Sequence, residues 1–266
     1  MGRKLGLTLV IAAVVVGPWA TLARADFTIY DDMHETLMEA QANQGLFIGF
    51  LFGPDDGAVI HLTANLDTST GEFSYITDPG NSYLGEAIAL SMSGVYDAVT
   101  RIATWTATGS LGAMSWSSVG SAEWEGDPTG KIEEKVTLGG KDYTVKGDIE
   151  YAIDPTTKKG TSTGKYTFTG PAGTPYAGPF GPYNGTDSFG GQPGDRWQHK
   201  VTVPVNPVTP KGVVEFSSGA FLAGNGAAAP ATLQITSVPE PSSLAMAGLA
   251  AATLLGVARL RARRPA

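Results

Sequence analysis

From Tyr143 to Ile153 every second residue (Tyr143, Val145, Gly147, Ile149, Tyr151, Ile153) falls on one face of an extended chain, and most residues between them are polar. A period of two marks a strand, because successive side chains point to opposite sides of the pleat. Gly139-Gly140 stands just before this run. Two adjacent glycines accept the positive φ that a two-residue hairpin demands, so Lys131 to Leu138 and Lys141 to Ile153 are expected as antiparallel neighbours. Gly147 leaves a gap in the buried row, the mark of a bend or bulge.

The same alternation recurs along the chain. Val59 to Asp67 alternates Ile60, Leu62, Ala64 and Leu66, and Glu72 to Thr77 alternates Phe73 and Tyr75. Arg101 to Thr108 and Leu111 to Val119 continue it, and Leu46 to Phe52 is a short apolar run. One helix stands out over Met33 to Asn43, with Asp32 and Glu35 as a capping box and Gly45 to close it. The pattern predicts a mainly β chain, an antiparallel β-sandwich or barrel-like domain with one short N-terminal helix. Residues 26–169 form the expected main β domain. Gly170 to Gly194 holds eight Gly and five Pro, so 170–196 reads as a loop or linker, followed by a smaller β section over 197–237. Thr68 to Tyr75 resembles Thr161 to Phe168, each read as a glycine turn feeding a strand.

Both ends are apolar. Arg3 and Lys4 precede an apolar run from Leu5 to Trp19, and Ala23-Arg24-Ala25 offers the small residues signal peptidase reads. Residues 1–25 are therefore expected to be a signal peptide, with the mature chain beginning at Asp26. At the other end, Leu244 to Ala258 is wholly apolar apart from Thr253, and Arg259, Arg261, Arg263 and Arg264 follow. Fifteen helical residues rise about 22 Å against a hydrocarbon core of about 30 Å, and Ser242, Ser243 and Leu260 extend the stretch to a bare span. The arginines would hold that end of a C-terminal membrane helix in the cytoplasm.

Val238-Pro239-Glu240-Pro241, the apolar run and the arginine cluster resemble, in that order and spacing, the PEP-CTERM sorting signal of Gram-negative bacteria, over residues 238–266. Pro265 and Ala266 after the last arginine depart from the pattern. The resemblance implies a transient inner-membrane anchor, processing by an exosortase at Pro239-Glu240-Pro241, and a destination at the cell surface or in an extracellular matrix of polysaccharide or biofilm. It leaves open what the body of the chain does there.

The chain is acidic, with 18 basic and 25 acidic residues and net charge −7. Seven of the basic residues but one acid lie in the two ends, so the body holds 11 basic and 24 acidic groups, a balance of −13. Such a surface repels nucleic acid and anionic membranes. The absence of cysteine excludes disulfides, thiol nucleophiles and Cys₄ zinc sites.

Catalytic motifs fail on context. His34-Glu35-Thr36-Leu37-Met38 has Met where a zincin needs its second His. Gly160-Thr161-Ser162-Thr163-Gly164 runs into a strand where a nucleophile elbow needs a helix. Gly224 to Ala229 matches a dinucleotide fingerprint by letter, but Pro230 and a strand follow. Glu123, Glu125 and Asp127 alternate along 121–128 and would share one face if extended. That face is a solvated strand edge, a calcium site or, with two carboxylates across a bond, a glycoside-cleaving pair. Trp105, Trp116, Trp124 and Trp197 are either core residues or platforms on which sugar rings stack. Two functions compete: a non-enzymatic, polysaccharide-associated surface protein with no cofactor unless calcium, and a carbohydrate-active hydrolase.

Overall fold

The computed structural model describes residues 19–125, 129–153, 156, 159–189, 196–204, 213–221 and 229–238. One helix, α1 (Trp19–Phe52), comes first. Thirteen strands follow: β1 (Ile60–Asp67), β2 (Glu72–Thr77), β3 (Ser82–Tyr83), β4 (Glu86–Asp97), β5 (Ile102–Leu111), β6 (Met114–Glu125), β7 (Thr129–Leu138), β8 (Lys141–Ile153), β9 (Gly160–Gly170), β10 (Gly178–Phe189), β11 (Arg196–Pro204), β12 (Val213–Phe221) and β13 (Ala229–Val238).

From β4 to β13 each strand pairs antiparallel with the next. β13 then pairs with β1, β1 with β2, and β2 with β4. The sheet therefore closes on itself as a barrel, with β3 as a two-residue addition on β4. Closure removes the free edges that an open sheet of this length would expose.

α1 runs through the middle. All twenty residues from 31 to 50 are buried, on every side of the helix. An element inside a wall whose backbone groups already bond to one another must satisfy its own N–H and C=O groups. A helix does this internally and a strand does not. For that reason the apolar stretch Leu46 to Phe52, expected as a separate run among the strands, continues the helix, and the short helix over Met33 to Asn43 is one part of a 34-residue element. Asp32 and Gly45, expected at its ends, lie within it.

The alternating pattern sorts the wall. Residues Leu62, Ala64, Phe73, Tyr75, Leu90, Met92, Ile132, Val136, Val145 and Ile149 face inward and are buried. Outward positions on β7 and β8 carry Lys135–Asp142 and Lys146–Glu133 ion pairs at 2.7 and 2.8 Å. The hairpin at Gly139-Gly140 forms as expected, with φ of 58° and 73°.

Aromatics and glycines pair across the inner wall. Trp105 is opposite Gly120, Gly109 opposite Trp116, Trp124 opposite Gly130, Phe73 opposite Gly94 and Tyr166 opposite Gly147. In the first four pairs the ring occupies the space where the glycine would carry Cβ: an added Cβ would sit 2.1 Å from Trp105 or Trp116, 2.3 Å from Trp124 and 2.4 Å from Phe73; at Gly147 it would sit 2.8 Å from Ile132 and 3.0 Å from Tyr166. Large rings laid along the wall leave the axis open for a helix about 10–12 Å across. Gly147 stands between Ile132 and Tyr166, both of which a Cβ would crowd. It pairs in unbroken register with both Ile132 and Tyr166, which corrects the expected bulge.

Three further expectations change. β10 crosses the Gly/Pro-rich stretch read as a loop, pairing with β9 from Phe189↔Gly160 to Gly178↔Gly170 with a register shift between Phe180 and Tyr183. Pro182 falls where that shift interrupts the ladder, while Pro179 pairs opposite Thr169 near the start of β10. The resemblance between 68–75 and 161–168 is not a repeated hairpin: Thr68 to Gly71 form a turn, whereas Thr161 to Phe168 lie wholly within β9. β11 to β13, expected as a smaller section, stand in the same closed sheet as β1 to β10.

Candidate functional site

Five polar side chains on α1 meet polar side chains on the wall. Nearest its start, Asp32 accepts two hydrogen bonds from Arg101, each 2.9 Å, and one from the Tyr96 hydroxyl at 2.6 Å. Arg101 sits in the turn between β4 and β5 at φ 56°. One turn on, Ser162 on β9 donates to Glu35 at 2.6 Å, and Trp124 Nε1 donates to Thr36 at 2.9 Å. The Tyr166 hydroxyl donates to Glu39 at 2.6 Å.

The densest group surrounds Glu134 on β7. Its Oε1 accepts from Gln44 Nε2 and from Ser118 Oγ, both at 2.6 Å, while Gln44 Oε1 accepts from Trp116 Nε1 at 2.9 Å. Glu134 is fully buried, and that burial raises its pKa above the ordinary carboxylate range. The bonds from Ser118 and Gln44, with Trp105 and Asn43 near by, oppose the rise in part. Burial pushes the pKa of His34 down to about 3, so its imidazole is neutral. These groups fix the rotation and height of the helix. Buried this deeply, they offer no face to a substrate in solution.

The aromatic end of α1 completes the seating. Phe47 lies 5.5 Å from Trp116 and 5.7 Å from Tyr143, and Phe50 lies 4.5 Å from Phe168 and 5.6 Å from Tyr183, centroid to centroid.

Of the tryptophans read as either core residues or sugar platforms, three turn inward. Trp105, Trp116 and Trp124 are 3–4 % exposed, because positions of even parity on β6 and odd parity on β5 face the core. The side chain of Trp197 lies outside the described residues. Glu123 is exposed on the outer face of β6, opposite Lys131. The side chain of Glu125 and the whole of Asp127 lie outside the described residues. Among the described residues no three of His, Asp and Glu are grouped to hold a metal ion.

Sequence reasoning missed Asp32, Glu35, Glu39 and Gln44 as wall contacts, and it missed Glu134 entirely. The last was legible in principle: Lys131, Glu133 and Lys135 face out, so Glu134 shares the inward row with Ile132 and Val136.

The outer wall carries shallow troughs where an inward row leaves only backbone between two outward rows. One, of about 400 Å³, crosses β7 to β10 over Gly130, Ile149, Gly164 and Gly185. Lys131, Asp148, Lys165 and Asn184 line one side, and Thr129, Glu150, Thr163 and Thr186 the other.

Ala23 and Ala25 lie within α1 as drawn from Trp19, and residues 1–18 are outside the described ones. Pro239, Glu240, Pro241 and the four tail arginines also lie outside them. Among the described residues no helix is long and apolar enough to cross a membrane.

β13 ends at Val238, at the start of the stretch that resembles a sorting address. That address is shown by comparison: residues 237–264 match the family model of the PEP-CTERM protein-sorting motif, which marks the chain as an exported protein sorted to the cell surface by an exosortase. No curated protein and no solved structure matches the chain.

Proposed function

We propose that the barrel is a non-enzymatic surface or matrix protein that binds extracellular polysaccharide along its outer wall. Signal peptidase removes residues 1–25, the tail anchors the chain briefly in the inner membrane with its arginines in the cytoplasm, and the exosortase releases the barrel. The observation that supports a binding role over catalysis is the plugged interior: Asp32, Glu35, Glu39 and Glu134 each bond between α1 and the wall, so contact with a ligand falls to the outside. There the β7–β10 trough sets Lys131 and Lys165 beside Asp148, Glu150 and a row of threonines, donors and acceptors suited to sugar hydroxyls and carboxylates. The body's net negative charge favours a neutral glycan, or an acidic one bridged by calcium.

Co-sedimentation of the released protein with the host's own extracellular polysaccharide tests this, with calcium and with chelator. Retention that weakens in Lys131→Ala/Lys165→Ala supports the trough. No retention under either condition sinks the binding role.

A further inference from the structure

Pairing on the last strand reaches the residue before the sorting tripeptide. On one side β12 pairs Val213 with Val238 and Val214 with Ser237. On the other, Ile60 opposite Leu233 is where β1 begins. Beyond it the segment 53–59 runs beside the end of β13 without joining the ladder. Asp55 N–H donates to the Ile235 carbonyl at 3.1 Å. Asp56 accepts the Ser237 N–H through Oδ1 at 2.6 Å and the Ser237 hydroxyl through Oδ2. These bonds hold the Asp56 carboxyl below its ordinary pKa, so it is charged near neutrality. The segment is braced in turn: the Tyr83 hydroxyl donates to the Gly53 carbonyl, and Leu84 N–H donates to Asp55 Oδ2 at 2.5 Å.

Ser237 is also the first residue of the matched sorting motif. The barrel and its address label therefore overlap, and Asp56 grips the overlap. Enzymes that take peptide as an extended strand bond to its free main-chain edges; β12 covers one edge of Ile235 to Val238, and on the other the Ile235 carbonyl and the Ser237 N–H are taken by Asp55 and Asp56. Pro239 lacks the N–H needed to continue the ladder.

We propose that Asp56 is a positioning residue for tail processing: a clasp that sets the boundary between barrel and tail at Val238, keeps β13 seated, and confines the processing enzyme to the chain beyond. This rests on the exosortase reading of the tail.

The test is pulse-chase of the full chain in a Gram-negative host with and without an exosortase, reading the C-terminus of the released form by intact mass. The wild type should lose its tail only with the exosortase, and its released form should keep Val238. Asp56→Ala should lose the tail severalfold faster and give ends shorter than Val238, while its released form melts within a few degrees of the wild type. Equal rate and equal ends in a folded Asp56→Ala chain overturn the clasp, as does slower processing. Should that variant fail to fold, Ser237→Ala removes only the hydroxyl bond and should shift both readouts the same way by less; no shift overturns the clasp. A wild-type chain that keeps its tail beside the exosortase overturns the sorting reading itself. The clasp is then judged by proteinase K digestion of the full chain, where Asp56→Ala must open residues 235–238 to cutting that the wild type resists, and equal cutting overturns it.

Discussion

The indole of Trp105 fills the space above Gly120, its direct partner across the β5–β6 ladder, so closely that a Cβ there would stand 2.1 Å from the ring. The neighbouring pair is reversed, with Trp116 on β6 over Gly109 on β5. Each glycine lets a ring lie against the wall, and the rings lying down leave the axis free for α1.

Gly120→Ala should therefore push Trp105 toward the helix and cost about 2 kcal/mol, with Gly120→Val costing more, as overpacked cores do. The control is Gly139→Ala in the hairpin turn, where a Cβ meets nothing within 4 Å and only its positive φ is strained, about 1 kcal/mol. Urea midpoints at constant m-value rank the three, and a harmless Gly120→Val would refute the ring-over-glycine account.

Glu134 binds its proton more tightly folded than unfolded, since burial raises its pKa. Such a group contributes stability at acid pH, below its unfolded pKa, and loses that contribution as pH rises through the folded value. Glu134→Gln keeps the neutral shape and the acceptor for Gln44 and Ser118 but does not titrate. The melting temperature of Glu134→Gln minus that of the wild type should thus be near zero at pH 4 and grow more positive toward pH 8. Taking the difference cancels Asp67, Asp97 and Asp142, whose lowered pKa values act in the opposite sense. Glu134→Ala should instead lose about 3 kcal/mol, through a cavity and orphaned donors.

Asp32 is fully buried and Arg101 is 22 % exposed. Asp32→Ala strips the guanidinium and the Tyr96 hydroxyl of their shared acceptor, and should cost about 3 kcal/mol, the lower end for a broken buried pair because Arg101 reaches water. The pair should resist salt, unlike the exposed Lys135–Asp142 bridge. Melting in 0.05 and 1 M sodium chloride reads this directly; equal salt sensitivity in wild type and Asp32→Ala is expected.

Because α1 leaves the barrel only if the wall opens, amides from 31 to 50 should exchange with deuterium by global unfolding alone. Peptides from this stretch should share one slow rate with those of β5 and β6. A central helix exchanging much faster than the wall would mean that it slips out of a closed barrel.

The strands were largely legible. β2 and β8 fall where the alternation put them, and β7 begins two residues earlier, because one buried face imposes a period of two on the residues themselves. The tail was legible too, being read by an enzyme as a linear string. β4 escaped notice: Ile88, Leu90 and Met92 alternate with Ala and Ser, a weaker contrast than the charged partners on β7. What neighbouring residues do not carry is the curvature that closes a sheet, or the identity of what fills it. Leu46 to Phe52 is apolar whether it pairs as a strand or lies inside a tube. Only a wall with its hydrogen bonds already satisfied forces it to be helix. In the same way an acidic stretch such as Asp31 to Glu39 reads as solvated until Tyr96, Arg101, Ser162 and Tyr166 arrive from far along the chain to bond it. The sequence alone determined the alternation, the hairpin and the address. Barrel closure decided the rest, because burial of α1 is a property of the complete ring of strands and of no single segment.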